Sequence, residues 1–391
     1  MEKTASSIGK LPAASLLMPP PELPYPQIEK RPTLVRRVAH PLGAFVCLAT
    51  LLPVFRSNRW WVRLFDFPRV QVATLGAAAV VAGRMTRRKT DRFDPLLDGL
   101  VPAAVVAQLA HIYRFTPGFP KQVISTKIST NGDSLSLLTS NVLMSNRNPA
   151  ALQDVIARCR PDVVLLLETD QWWEDQLDHV DRHYPYSVKC PINNTYGMHL
   201  YSKLPLIEPE VRFLIHSDVP SIRTQIRLPS GREIHFYGMH PKPPGRPNRK
   251  GEIRGSAPRD AELVQIAYEI RNLDVPVIVA GDFNDVAWSH TTRRFQRISR
   301  VLDPRIGRGL FNSFHASYPW LRFPLDHLFH SRHFALMDFA RQPHIGSDHF
   351  PIYATLSLEP EAKREQEPPE ADASDLKEAT EDLHAPEAEQ P

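Results

Sequence analysis

The chain is poor in cysteine and has no uninterrupted apolar run of the roughly 20 residues that a single membrane span needs. Its three cysteines, Cys47, Cys159 and Cys190, lie far apart and none belongs to a CxxC pair. That distribution excludes a disulfide framework and a structural zinc site. It suits the cytosol, and equally a periplasmic domain without disulfides. Hydrophobic periodicity is absent from residues 1–32, where Pro19, Pro20, Pro21, Pro24 and Pro26 exclude a helix, so this stretch reads as a disordered leader. A secretory signal peptide is excluded because the first apolar run begins too late. There is no internal repeat.

Charge is present in both signs but unevenly placed. The formal net charge is +4, yet residues 359–391 carry twelve acidic and three basic side chains, a net of −9 that leaves +13 for residues 1–358. The acidic, Pro-rich end reads as a disordered tail. A basic body serves solubility, or attracts phosphate-bearing partners such as lipid head groups or nucleic acid. Charge alone does not choose between them.

Three apolar stretches follow one another between Val38 and Tyr113: residues 38–55, 69–83 and 95–113. A span needs about 20 apolar residues, and these are interrupted by Pro41, Pro53, Asp98 and Pro102. Their flanks favour a membrane. Arg59, Trp60, Trp61 and Arg63 fill the first loop, and Arg84, Arg87, Arg88, Lys89 and Arg92 fill the second. Trp and Tyr prefer the interface, and Lys and Arg resist translocation. Residues 33–116 are therefore expected to form about three transmembrane helices, with the excess of basic residues placing the N-terminus in the cytoplasm. Everything after Tyr113 then lies outside the inner membrane. If the third stretch does not cross, the topology inverts.

A linker is expected over 117–133, and from Ser134 strands and helices alternate. Expected strands are Ser134–Val142, Asp162–Glu168, Ile222–Leu228, Arg232–Met239, Val275–Ala280 and Pro351–Leu358. Expected helices are Pro149–Arg160 and Arg259–Leu273. A mixture of this kind over residues 134–358 predicts an α/β sandwich, two packed sheets flanked by helices.

Several short motifs could carry chemistry. Gly281-Asp282-Phe283-Asn284-Asp285 directly follows a buried strand, where glycine permits a sharp turn and Asp282 and Asn284 flank one point. A carboxylate there can activate water and a carboxamide can stabilise an oxyanion, although Gly, Asp and Asn are also ordinary turn residues. Glu168 ends an apolar strand, an expensive position for a carboxylate unless it is paired or metal-bound. His240 opens His-Pro-Lys-Pro-Pro-Gly and can donate to a phosphate oxygen; it also reads as a loop histidine. Asp326-His327 and Gly346-Ser347-Asp348-His349 offer carboxylate–imidazole combinations in which one group orients the other.

Together these pieces resemble the endonuclease/exonuclease/phosphatase superfamily, the DNase I-like fold. The resemblance is carried by Asn141 in SNV, Glu168 in LLLETD, His240 in MHP, GDFND at 281–285, Asp326 in LDH and GSDHFP at 346–351. The apolar stretches, WWVRLFDFPR and VAWSHTTRRF resemble its bacterial membrane-anchored branch. The resemblance implies a four-layered α/β sandwich and a Mg²⁺ or Mn²⁺ site. In it, Glu168 is the main metal ligand, with Asn141 and Asp348 nearby. Asp282 orients or activates water, Asn284 holds a phosphate oxygen, and His349, set by Asp326, contacts the scissile phosphate beside His240. Leu143 stands where several nuclease members carry an acidic residue, which leaves one or two metals open. The expected activity is phosphoester hydrolysis on a lipid-linked phosphate close to the membrane. The alternative is an extracytoplasmic nuclease whose basic loop Lys242–Arg254 tracks DNA or RNA.

Overall fold

The apolar stretches between Val38 and Tyr113 become helices, in a computed structural model that describes residues 34–87, 93–127, 129, 133–177, 180, 182–245 and 255–388. The expected leader lies outside the described residues. Helices α1 (Leu34–Leu51), α3 (Arg69–Met85) and α4 (Val101–Tyr113) pack together, with a short α2 (Trp60–Arg63) between the first two. Close approach depends on glycine: a Cβ on Gly76 would come within 2.5 Å of Val105, and one on Gly43 within 2.8 Å of Val101. Val46, Val72, Ala79 and Val101 face inward, while Phe45, Leu48, Val54 and Val106 face out. Two segments, Arg37–Phe55 and Pro95–Tyr113, are long and apolar enough to cross a membrane. The middle stretch, expected as a span of its own, reaches that length only with Trp60–Asp66, from which it is bent by 69°. The break falls at Phe67-Pro68, where proline has no N–H to continue the ladder.

Eleven strands are described, and the ones buried on both faces show why their sequences read as continuous apolar runs. In β2 (Val163–Leu167), Val163, Leu165 and Leu167 point into the space between two sheets, and Val164 and Leu166 point under helices. β8 (Val277–Asp282) does the same, with Ile278 and Ala280 on one side and Val277 and Val279 on the other. The remaining strands are β1 (Ser134–Asn141), β3 (Tyr186–Cys190), β4 (Met198–Ser202), β5 (Leu206–Arg212), β6 (Ser221–Arg227), β7 (Glu233–Met239), β9 (Asp326–His330), β10 (Phe334–Arg341) and β11 (Ile352–Leu358). They form a six-stranded sheet ordered β10-β11-β1-β2-β4-β3 and a five-stranded sheet ordered β5-β6-β7-β8-β9. β1–β2 and β7–β8 are parallel, and the other pairs are antiparallel.

Helices α5 (Pro149–Cys159) and α6 (Gln171–Gln176) cover the outer face of the first sheet. Helices α7 (Ala257–Arg271) and α8 (His290–Ser299) cover the second. The four-layered α/β sandwich expected from the sequence is the architecture found.

Two expectations are corrected. The segment after residue 117, read as a linker, docks on the sandwich: Val123 is fully buried in the inter-sheet core and Ser125 bridges Leu336. The acidic end, read as disordered, forms α9 (Pro360–Glu365) and α10 (Ala373–Ala388). Leu376, Ala379 and Leu383 of α10 join the apolar cluster under α7 and α8. Asp375 pairs with Arg297, Glu378 with Arg56, His290 and Arg294, and Asp382 with Arg294. Composition alone suggested a solvated tail because it showed neither the apolar stripe at helical spacing nor the basic face of α8 that the carboxylates meet.

Candidate active site

The two parallel pairs aim their C-terminal ends at one edge of the sandwich, and the antiparallel neighbours β9 and β11 begin there. Asn141 ends β1, Glu168 follows β2, His240 follows β7 and Asp282 ends β8. Asp326 opens β9 directly opposite Asp282, and Asp348 and His349 lie just before β11. Topology thus brings seven residues, spread over more than half the chain, to a single rim. Asp326 lies on a strand and is buried.

The chain is bent to reach this geometry. Leu143, Glu168 and Asn284 all adopt the left-handed region, with φ of 58°, 63° and 52°. Non-glycine residues occupy it at a cost and cluster where a side chain must be aimed. Gly281 has φ 139°, and a Cβ on it would strike the Met239 carbonyl at 1.9 Å. Only glycine lets β8 approach β7 there.

Three acidic residues and two imidazoles converge. Asn141 Nδ2 donates to Glu168 Oε1 at 2.9 Å and to Asp282 Oδ2 at 3.2 Å, joining the two sheets. The second Glu168 oxygen accepts from the Met144 amide at 3.2 Å. Asp282 Oδ2 stands 3.7 Å from His240 Nε2 and 3.6 Å from His349 Nε2. His349 Nδ1 donates to Asp326 Oδ2 at 2.7 Å, which presents Nε2 to the rim. Asn284 donates from Nδ2 to the Pro241 carbonyl at 3.0 Å, and its backbone N–H donates to Asp282 Oδ1 at 2.8 Å. Asp348 is half-buried beside Ser347, whose hydroxyl reaches it at 3.4 Å.

Burial and neighbouring charge pull these groups apart. Burial opposes a charge on His349, but Asp326 and Asp282 outweigh it and raise the imidazole to about 10. His240 is shifted down because burial exceeds the pull of Asp282. One imidazole is thus held charged and the other neutral, a division suited to different tasks. Burial raises Glu168 above the usual carboxylate range, partly offset by Asn141 and Met144.

The donor set suits a hard cation. Asp282, Asp326 and His349 offer ligand atoms within 4.8 Å of one another. Asp326 and His349 already satisfy each other, however. The better point lies between Glu168 and Asp282, where the Asn141 amide N–H bridges an oxygen of each. Buried carboxylate oxygens drawn to one spot, with Asp326 Oδ1 lacking a hydrogen bond among the described residues, are what an oxygen-preferring divalent ion relieves.

Sequence reasoning passed over the residues that support these groups. Arg259 donates to the Asn284 carbonyl at 3.0 Å and contacts Asp285 at 3.1 Å, holding the 282–285 turn from beneath. Ser347 donates to the Asn141 carbonyl at 2.8 Å and accepts from the His349 amide at 3.0 Å. Tyr196 and Phe314 pack on His240 and His349, with ring centroids 5.2 and 4.9 Å away. Asp285 and Ser347 sit inside motifs the sequence displays. Nothing local marks Arg259, Tyr196 or Phe314. Lys242, counted in a free basic loop, is paired with Asp218 and lies over Tyr196; residues 246–254 of that loop lie outside the described residues.

The profile of the Endonuclease/Exonuclease/phosphatase family matches residues 138–349. No curated protein matches in sequence. Among solved structures, humanized TDP2 of D. rerio is 18% identical, covering 57% of this chain and 99% of its own, at a TM-score of 0.46. The human Nocturnin catalytic domain with bound sulfate is 15% identical over 57% of this chain and 94% of its own, at 0.45. Sphingomyelinase C from Streptomyces griseocarneus is 17% identical over 57% and 99%, at 0.42.

Proposed function

This chain belongs to the endonuclease/exonuclease/phosphatase family and is a phosphoester hydrolase, and we propose that it is membrane-anchored, divalent-metal-dependent and acts on lipid-linked phosphate. The observation that carries the mechanism is the position of Asp282 between two imidazoles of opposite tendency, 3.7 and 3.6 Å away.

Glu168 would hold the cation, with Asn141 and Asp348 beside it. A bound Mg²⁺ or Mn²⁺ supplies neutralisation of the phosphate oxygens and polarises the phosphorus. The chain's own groups do the rest. Asp282 orients a water and accepts its proton as the water attacks in line. The Asn284 amide, held by Pro241, donates to a non-bridging oxygen on which charge accumulates. His349, kept protonated by Asp326, donates to a phosphate oxygen or to the leaving group. His240, neutral, contributes a second donor or acceptor at the same phosphate, according to its tautomer.

Two helices long and apolar enough to span a membrane support the anchoring, since their exposed faces carry Leu48, Val54, Val106 and Leu109. A catalytic rim tethered close to head groups meets lipid phosphates at high local concentration. A substrate panel tests the reading: the purified full chain with Mg²⁺, given undecaprenyl pyrophosphate, phosphoinositides, plasmid DNA and a chromogenic diester. Lipid turnover abolished by chelator is expected. DNA cleavage without lipid turnover would replace the lipid reading by a nuclease. A reporter fused after Leu358 tests the outward orientation at a bacterial inner membrane.

A further inference from the structure

One stripe of α3 does not close against the catalytic fold. Val70, Thr74 and Leu75 lie on it, at spacings that share a helix face. Between this stripe and residues 310–322 lies a cleft of about 520 Å³, within the roughly 300–1,000 Å³ of ligand sites. Leu310, Pro319 and Trp320 complete its apolar wall, and Arg322 and Arg341 stand on its polar side. The two walls are pinned together, since the Gln71 amide of α3 donates to the Trp320 carbonyl at 2.6 Å. The Trp320 side chain nevertheless remains 81% exposed, and Tyr318 and Leu321 beside it are exposed too.

The two guanidiniums are held side by side. Both lie over the Phe350 ring, 5.1 Å from its centroid for Arg322 and 4.3 Å for Arg341. Arg322 donates to the Ala316 carbonyl at 3.1 Å, and Arg341 donates to the Asn312 carbonyl at 2.9 Å. Among the described residues neither meets a carboxylate, so two positive charges face one cleft without a counter-charge. Their remaining N–H donors form planar forks that fit phosphate oxygens. A cleft that is apolar on one side and doubly cationic on the other matches a molecule divided the same way, an apolar chain on an anionic head. Its position agrees with that occupant. It opens beside the start of α3, and Trp320 and Tyr318 are residue types that settle at a membrane interface. The catalytic loop is adjacent: Phe350 directly follows His349, and the Ala316 amide donates to the Asp348 carbonyl at 2.7 Å.

We propose that the cleft between α3 and residues 310–322 binds one anionic membrane lipid, with its chain along Val70, Leu75 and Trp320 and its phosphate at Arg322 and Arg341. The site rests on the reading of the bundle as a membrane anchor. It concerns binding and not turnover, and it uses neither the metal nor Asp282.

The test is titration calorimetry on the full chain in uncharged detergent with chelator. The probes are lysophosphatidic acid, monoacylglycerol of the same chain length, and inorganic phosphate. Lysophosphatidic acid should bind about tenfold or more tighter than monoacylglycerol, the worth of hydrogen bonds to a charged group. Arg341→Gln should abolish that preference and leave the weaker monoacylglycerol affinity in place, and Arg341→Lys should restore part of it. A purely structural arginine would instead move both lipids alike. Thr74→Trp fills the cleft without changing charge; it should weaken both lipids while the thermal midpoint holds. Asp282→Asn alters the rim alone and should bind as wild type. Equal affinity for the two lipids, a preference retained in Arg341→Gln, undiminished binding in a folded Thr74→Trp, or loss of binding in Asp282→Asn would each overturn the site. Inorganic phosphate binding as tightly as lysophosphatidic acid would overturn it too, by reducing it to an anion site. Lipid turnover with Mg²⁺ is a separate readout. Binding without turnover keeps the site and removes the lipid-hydrolase reading, and turnover without the binding preference does the reverse.

Discussion

Asp326 holds the His349 ring from behind: its Oδ2 accepts from Nδ1 at 2.7 Å, and the same ring turns Nε2 toward Asp282 at 3.6 Å. The Asp326 backbone is itself fixed, its amide donating to the Ser313 hydroxyl at 3.0 Å. A strand residue therefore orients a loop residue, and the loop inherits the rigidity of β9.

Asp326→Asn should retain the fold and lose the orientation, since an amide offers the ring a donor as readily as an acceptor. Removal of such an orienting carboxylate costs about 10–100-fold in activity. Steady-state turnover and the thermal midpoint should be measured on the same preparation. Wild-type turnover in a folded Asp326→Asn protein would show that the pair is not part of the machinery.

Asp382 and Glu378 hold Arg294, a side chain that is only 4% exposed. Removing a partner from a buried pair leaves an uncompensated charge, at about 3–5 kcal/mol. Glu378 is partly exposed, so its share is the smaller. Asp382→Ala should lower the unfolding midpoint clearly, Glu378→Ala less, and protease should then cut after Leu358 where the wild type resists. An Asp382→Ala protein as stable and resistant as wild type would mean that α10 does not support α8.

Two buried histidines should make the protein sensitive to mild acid. Burial lowers His199 to about 3 and His330 to about 4. Both are neutral in the fold, whereas the unfolded side chains take up a proton below about 6.5. Their contribution is complete above pH 6.5 and is lost as pH falls from there toward the folded values. Urea midpoints measured between pH 7 and pH 4 should fall, and His199→Gln should flatten the curve. A slope unchanged by that substitution would assign the acid sensitivity elsewhere.

Glu262 on α7 works in the opposite sense. It is fully enclosed, its Oε1 has no hydrogen-bond partner among the described residues, and burial raises it to about 8 against the milder opposing pull of Arg212 and Lys242. Because the folded value lies above the unfolded one, stability is complete below about 4.5 and is lost as pH rises through 8. Glu262→Gln should therefore match wild type near pH 4.5 and exceed it increasingly toward pH 8, as read by thermal midpoints in parallel buffers. Equal midpoints at pH 8 would show that the carboxylate is charged and solvated there.

Much of the catalytic fold is written locally. β2 is apolar throughout, and β8 is apolar over Val277–Ala280, because both of their faces are covered, and a run of that kind is visible in one dimension. GDFND and GSDHFP are likewise legible, because a strand end that must turn sharply and present polar groups uses few residue types. By contrast β3, β4, β5, β9 and β10 escaped notice. All but β4 lie at the edges of their sheets, and β5 reads LIEPEVR and is half-exposed along its length; β4 reads MHLYS, whose buried His199 and Ser202 break the apolar run.

By itself the sequence determined which residue types were available, in what order, and that an α/β sandwich with a polar rim would use them. Which residues meet was decided by the tertiary structure. Asn141 reaches Asp282 only because two sheets stack with their strand ends at the same edge, and Asp326 reaches His349 only because β9 pairs with β8 while β11 pairs with β1. The acidic end is the clearest case. Its carboxylates alone predict a solvated chain, and they become a helix because Arg294 and Arg297 wait for them on α8, beyond what any window of sequence contains. Charge pairing and burial depend on distance in space, and that distance was set by the fold as a whole.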